Sequence, residues 1–179
     1  MIDEQKKQIR IAIRQLKASI SFEEKLVRSK VILSKLEQNK AFQNAQCIML
    51  YWSMDDEVQT HDFVIKWAGL KQIILPSVKK DVLVLRKFED VQHLKTGEKY
   101  GIQEPEGEDF NDFKKIEVVI VPGIAFDKAN NRMGRGRAYY DKLLMKMQTY
   151  KIGVCFDFQM IENVPIDEFD VKMDEIIIG

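Results

Sequence analysis

The stretch RMGRGRAYYD, Arg132 to Asp141, gathers chemistry that the rest of the chain does not repeat. Arg132, Arg135 and Arg137 surround Gly134 and Gly136 directly before AYYDKLLMKM, which reads as a helix. Glycines let successive backbone N–H groups converge on an anion, a helix start adds partial positive charge, and guanidinium forks hold phosphate oxygens in pairs. Tyr139, Tyr140 and Asp141 then add two aromatic faces and a carboxylate beside that phosphate nest. A nucleotide, a ring-bearing substrate and a divalent cation could all be served there. A GRGR string alone is also compatible with a solvated basic turn. It is not a Walker A loop, lacking GxxxxGK followed by Ser or Thr, and no strand runs straight into it. Nor does it resemble a GxGxxG fingerprint in a tight strand-to-helix turn.

Little elsewhere competes with it. His61 and His93 have no nucleophile pattern around them, and Cys47 and Cys155 lie within apolar runs, the setting of buried thiols in a reducing compartment. The 28 Lys plus Arg cancel the 28 Asp plus Glu, so no long-range field favours nucleic acid or an anionic membrane. With 45% apolar and 31% charged residues the composition is that of a globular protein. The start, MIDEQKKQIR, has no apolar signal-peptide core, and no run approaches the roughly 20 apolar residues of a membrane span. A cytoplasmic monomer without nucleic-acid or membrane partners is expected.

The elements that must position the loop follow from periodicity. Ile9, Ala12, Ile13, Leu16 and Ile20 recur at steps of three and four, predicting an amphipathic helix with Lys6, Lys7, Arg10, Arg14 and Lys17 on its remaining face. Ser21 followed by Glu24 is a capping box, opening a second helix that runs to about Gln38. Short β-type runs follow at 46–52, 72–78, 82–88, 116–122, 151–156 and the C-terminus, several apolar on both faces. Helical stretches fall between them, one capped by Thr60 and one beginning AYYD. The pattern predicts a single-domain three-layer α/β/α sandwich over residues 1–179, with a largely parallel sheet and an N-terminal helical pair. Residues 89–115 are polar enough to predict a surface flap with a short helix.

MGRGRAYYD resembles the glycine-rich signature of the 5-formyltetrahydrofolate cyclo-ligase family, and the likeness extends along the chain in order. KKQIR is similar to the family's basic entry helix, YWSMDDEVQT to its SMxDEVxT segment, and YGIQEP to its GIxEP turn. VPGIAFD resembles its VPGxAFD segment and MDEII the start of its C-terminal strand. The resemblance implies ATP-dependent closure of 5-formyltetrahydrofolate to 5,10-methenyltetrahydrofolate through a phosphorylated formyl oxygen, with no protein nucleophile.

Carried over residue by residue, it implies that Lys6, Arg10, Arg132, Gly134, Arg135, Gly136, Arg137, Ala138, Tyr139 and Tyr140 bind ATP. Arg135 and Arg137 would stabilise the travelling phosphoryl group. Glu57, in a loop apart from the phosphate cradle, would bind folate, its carboxylate suiting the pterin's N–H donors, together with Tyr139 and Tyr140. Asp141 and Asp174 would hold Mg²⁺. Trp52 and Phe126 fit core packing better than a cavity wall. One departure is Ala138, where the family usually has glycine, so a torsion open only to glycine is not strictly required there. A non-catalytic nucleotide- or RNA-binding protein using the same Arg/Gly loop is the rival reading, weakened by the zero net charge.

Overall fold

The structure is a computed structural model that describes residues 1–97, 99 and 101–179. Helices α1 (Ile2–Ala18), α2 (Phe22–Gln38) and α3 (Lys40–Asn44) precede strand β1 (Cys47–Met49) and helix α4 (His61–Ala68). Strands β2 (Gln72–Lys79), β3 (Val82–Lys87), β4 (Leu94–Thr96), β5 (Gln103–Pro105), β6 (Val118–Val121), β7 (Ala125–Phe126) and β8 (Arg132–Met133) follow. Helix α5 (Tyr139–Leu144) and strands β9 (Tyr150–Cys155) and β10 (Glu175–Ile178) complete the chain. Among the described residues no helix is long and apolar enough to cross a membrane.

Six strands form one sheet in the order β10-β9-β6-β1-β2-β3, parallel throughout except for the antiparallel β2–β3 edge. Alternate residues serve opposite faces, which is why the central strands are apolar on both sides. Ile48, Ile73, Val118, Ile120 and Ile152 pack with Ile32, Leu36, Phe42 and Val64 of α2, α3 and α4. Met49, Ile74, Val119 and Val121 pack with Leu143 and Leu144 of α5 on the other face. The expected three layers are therefore present. Ser21 caps α2 as predicted, its hydroxyl accepting the Glu24 N–H at 3.1 Å, while the Glu24 carboxylate pairs with Arg28.

Helix α1 departs from its apolar periodicity. Leu16 is 45% exposed, whereas Lys6 and Lys17 are only 7% and 2% exposed. The inward stripe is Lys6–Ile13–Lys17, and Ile13 packs against Ile124, Ala125, Met133 and Val164. A lysine is buried when a carboxylate comes with it. Lys6 meets Asp167 at 2.8 Å and Asp170 at 2.6 Å, and Lys17 meets Asp56 at 3.3 Å. Those partners lie far away in the chain, so the helix's own sequence could not announce them.

Residues 89–115 are more than a flap. They form the β4–β5 hairpin between two short 3₁₀ turns, Val91–His93 and Phe113–Lys115, and Phe110 and Phe113 join the second core. Tyr100 of the YGIQEP segment lies outside the described residues. Beside this hairpin, β1 stops at Met49, paired with Ile74, while β2 and β3 run on together to Lys79 and Val82. An opening is left where β1 ends. Thr60 makes no cap for α4; its hydroxyl donates to the Tyr51 carbonyl and accepts from the Ser53 N–H, tying the loop that leaves β1.

On the other side of the opening, Asp127 organises the β7–β8 hairpin. Its buried carboxylate accepts N–H groups from Ala129, Asn131 and Val164 and from the Asn131 side chain, at 2.9–3.0 Å. Burial alone would raise its pKa, but these donors hold it below the usual carboxylate value. A depressed folded pKa contributes stability that is complete above about pH 4 and is lost as pH falls through the folded value. Asp127→Ala should cost about 3 kcal/mol of unfolding free energy. In denaturant titrations from pH 5 down to pH 2, Asp127→Asn should be less stable at pH 5 and show a shallower acid loss than the parent.

Candidate active site

The opening beyond β1 is a cleft of about 890 Å³, including the part open to solvent. Tyr51, Trp52 and Met54 wall one side, and Pro76, Val78, Leu83 and Ile102 face them. The remaining wall is the segment from Arg132 to Asp141, with Glu57 and Glu104 at the edges. Trp52 packs against the first core, as expected, and also borders the cleft, and His61 backs it: the rings stack at 4.1 Å and 14°, and His61 Nε2 lies 2.9 Å from the Ser53 carbonyl. Phe126 is fully buried core, as expected. Both thiols are buried too, Cys47 pushed up to about 11 and Cys155 to about 12 by burial, so neither is a poised nucleophile.

The arginine loop is approached by a two-residue strand, β8, which sequence had not indicated. Arg132 on that strand is buried; it donates to Asp141 at 2.9 Å and to the Pro122 carbonyl at 3.2 Å, and lies over the Tyr140 ring. Its two terminal nitrogens thus hold the loop to α5 and to the end of β6, while Nε is buried without a hydrogen-bond partner among the described residues. Gly136 adopts a φ of +99°, and a Cβ there would stand 3.4 Å from the Arg10 guanidinium carbon. Arg10 also donates from Nε to the Gly134 carbonyl at 3.0 Å, leaving its terminal nitrogens without hydrogen bonds among the described residues. Ala138 has a φ of +52°, so the left-handed torsion is used and alanine adopts it with strain. Helix α5 has only six residues, so positive charge here comes mainly from side chains.

Arg135 leads to a connected set of charges. It donates to Asp56 at 2.6 Å and to Glu57 at 3.0 Å, and Asp56 in turn meets the buried Lys17. Burial lowers the Lys17 pKa, with Arg135 adding to the effect against the pull of Asp56. Burial would raise Asp56, but Lys17 and Arg135 hold it below the usual range. Glu57 does lie in a different loop from the phosphate cradle, as expected, but the two loops meet: one carboxylate oxygen accepts from Arg135 and the other from the Met54 N–H at 3.0 Å. Lys17 and Asp56 were not singled out by sequence. Their signal was the spacing of Lys6, Arg10 and Lys17 by four and seven residues on one helix face, together with the doubled acid in DDE.

Arg137 is exposed, lines the cleft, and makes no ion pair among the described residues. Tyr139 and Tyr140 both line it, and burial pushes the Tyr140 hydroxyl well up. Lys6 does not line the cleft, being held by Asp167 and Asp170. The structure also does not bring Asp141 and Asp174 together as a metal pair. Asp141 lines the cleft, with its oxygens accepting from Arg132 and the Val171 N–H. Asp174 is outside it at the start of β10, accepting the Lys151 N–H at 2.7 Å and lying 3.5 Å from the Lys151 ammonium.

Residues 2–179 match the model of the 5-formyltetrahydrofolate cyclo-ligase family. The chain belongs to this family. The mouse 5-formyltetrahydrofolate cyclo-ligase is 30% identical over 194 residues, covering 98% of this chain and 94% of that protein. The protein of that name from Haemophilus influenzae is 28% identical, over the full length of both. The 5,10-methenyltetrahydrofolate synthetase structure from Aquifex aeolicus aligns with a TM-score of 0.86 at 30% identity, over 97% of this chain and 89% of that one. The synthetase from Mycoplasma pneumoniae aligns at 0.77 and 26% identity, over 96% and 97%. The chain is therefore an enzyme of the cyclo-ligase family, and its cleft sits around the family's glycine-rich signature. Because Ala138 holds a glycine-like torsion, Ala138→Gly should relieve about 1 kcal/mol of strain. Thermal melting should rise slightly, and a fall would mean that the alanine methyl makes a needed contact.

Proposed function

We propose that this cyclo-ligase converts 5-formyltetrahydrofolate to 5,10-methenyltetrahydrofolate with ATP as co-substrate. The observation that carries the reading is the joining, in one cleft, of an apolar slot bordered by Trp52, Met54 and Leu83 with a loop bearing Arg135 and Arg137. A folded ring system suits the first and a polyphosphate the second. A formamide is a poor electrophile, so closure needs its oxygen made into a leaving group. The formyl oxygen attacks the γ-phosphorus, the bond to the β-phosphate's bridging oxygen breaks, and ADP leaves. N10 then attacks the activated carbon and loses its proton, and phosphate departs with the former formyl oxygen. No protein nucleophile enters the balance.

In this reading Arg137 and the free nitrogens of Arg10 meet the phosphates first, and Arg135 joins them by exchanging Asp56 and Glu57 for phosphate oxygens. Such transfer is catalysed by positioning and charge stabilisation. Glu57 lies at the seam between folate and polyphosphate, and Tyr139 and Tyr140 offer ring faces. Lys6 contributes to phosphate binding only if it leaves Asp167 and Asp170. No cluster of three or more metal-ligating side chains occurs among the described residues, and Asp141, the one carboxylate of the expected pair on the cleft, already accepts from Arg132 and the Val171 N–H, so Mg²⁺ would be held mainly by phosphate oxygens and water. The ion would supply neutralising charge to the phosphates.

Mixing the protein with Mg-ATP and 5-formyltetrahydrofolate should yield methenyl product by absorbance and ADP in equal amount. ADP formed no faster with the folate than without it would sink the assignment. Arg137→Ala should lower kcat/KM by about tenfold or more, the worth of one charge-assisted contact, with an unchanged melting temperature because the side chain is exposed and makes no ion pair among the described residues.

A further inference from the structure

Three carboxylates line the cleft, those of Glu57, Glu104 and Asp141. Glu57 is neutralised by Arg135 and Asp141 by Arg132. Glu104 is 8% exposed, yet no cation lies within salt-bridge distance of it among the described residues. A buried anion without a counter-charge is costly unless something else donates to it.

Its placement is well determined. Beyond the end of β1 the edge of β2 is open, and an open edge presents backbone N–H groups. Pro76 has none to present. Val78, two residues on and so directed to the same edge, donates its N–H to Glu104 Oε1 at 2.9 Å. From above, Gly97 closes on the same side chain: a Cβ there would fall 2.5 Å from the Glu104 carboxyl carbon. The carboxylate is thus oriented by β2 and the β4–β5 hairpin. Oε1 is taken by the Val78 N–H, no hydrogen bond to Oε2 is found among the described residues, and Glu104 lines the cleft.

We infer that Glu104 binds the N–H edge of the substrate's ring system, where an amino group and a neighbouring ring N–H present two donors side by side. This rests on the folate reading and adds Glu104 as a donor-recognising carboxylate distinct from Glu57, whose oxygens accept from Arg135 and the Met54 N–H until the phosphates draw Arg135 away. Val78 and Gly97 position it, and the apolar walls keep water from replacing the ligand's donors.

The test uses calorimetric titration with 5-formyltetrahydrofolate, with its analogue lacking the ring amino group, and separately with Mg-ATP. The parent should bind the analogue about tenfold more weakly or worse. Glu104→Gln keeps an oxygen for the Val78 N–H, so it should melt like the parent and bind Mg-ATP unchanged. Its affinity for the folate should fall by about tenfold, with a much smaller loss for the analogue, a pattern that a purely structural Glu104 would not produce. A parent that binds both ligands equally, or a Glu104→Gln that loses both equally or neither, overturns the inference without any variant needing to misfold. A parent that binds neither ligand overturns the folate reading itself, a result distinct from any of these.

Discussion

A guanidinium sealed from water needs its counter-charge in place, and the Arg132–Asp141 pair sets this demand at the centre of the molecule. Both side chains are under a tenth exposed, and removing one partner of such a pair costs about 3–5 kcal/mol. The bond joins β8 to the first turn of α5, so both ends of the glycine loop are anchored by one contact. The Pro122 carbonyl and the Tyr140 ring meet the same guanidinium, drawing the end of β6 and one cleft wall to one point. The loop between the anchors is then free to carry Arg135 and Arg137 toward the cleft. Gly134 and Gly136 leave room for Arg132 and Arg10 beneath it.

The sheet supplies the other half of the site by ending unevenly. Had β1 matched the length of β2, its backbone would fill the space now bordered by Trp52 and Val78. Instead the chain turns away after Leu50, held by the Thr60 hydroxyl, and the β2–β3 ribbon projects past it. Parallel α/β sheets bind ligands at the carboxyl ends of their strands because loops diverge there. Here the divergence lies between β1 and β6, whose following segments carry Trp52 and Gly123 into the cleft wall.

How much of this was legible varies with the range of the interaction. Strands and helices rest on local alternation, so β2, β3, β9 and α2 lie within a residue or two of their sequence bounds. The arginine loop was legible because its residues are contiguous. Lys17, Asp56 and Glu104 were not, since each matters through a partner 26 to 79 residues away: Glu104 from Val78, Lys17 from Asp56, Asp56 from Arg135. Helix α1 shows the same limit from the other side. An apolar-face rule assumes that charge points outward, and it fails where the surface being covered is itself acidic. The surroundings of Asp174 were hidden for a related reason, because the register of β10 against β9 gives its carboxylate to Lys151.

The charges around Arg135 explain how a cationic loop can wait without ligand. A cluster of guanidinium groups beside an apolar slot repels itself, and in a region of reduced dielectric that repulsion is strong. Asp56 and Glu57 neutralise Arg135, and Lys17 from below keeps the pair of acids from being overcompensated in the negative sense. On the proposed reading an arriving polyphosphate would compete for Arg135 because both of its partners in this network are exchangeable oxygen acceptors, while Lys17 stays behind to balance the acids that are released. Ligand binding is then an exchange of ion pairs rather than the creation of a bare charge. On this reading the affinity gained at Arg135 would be a difference between two favourable states, smaller than the contact alone, whereas Arg137, which gives up no ion pair among the described residues, would contribute its contact more fully. The proposed reaction would thus divide the loop's labour, one arginine drawing the anion in and the other joining it only when the acids beside the proposed folate slot let go.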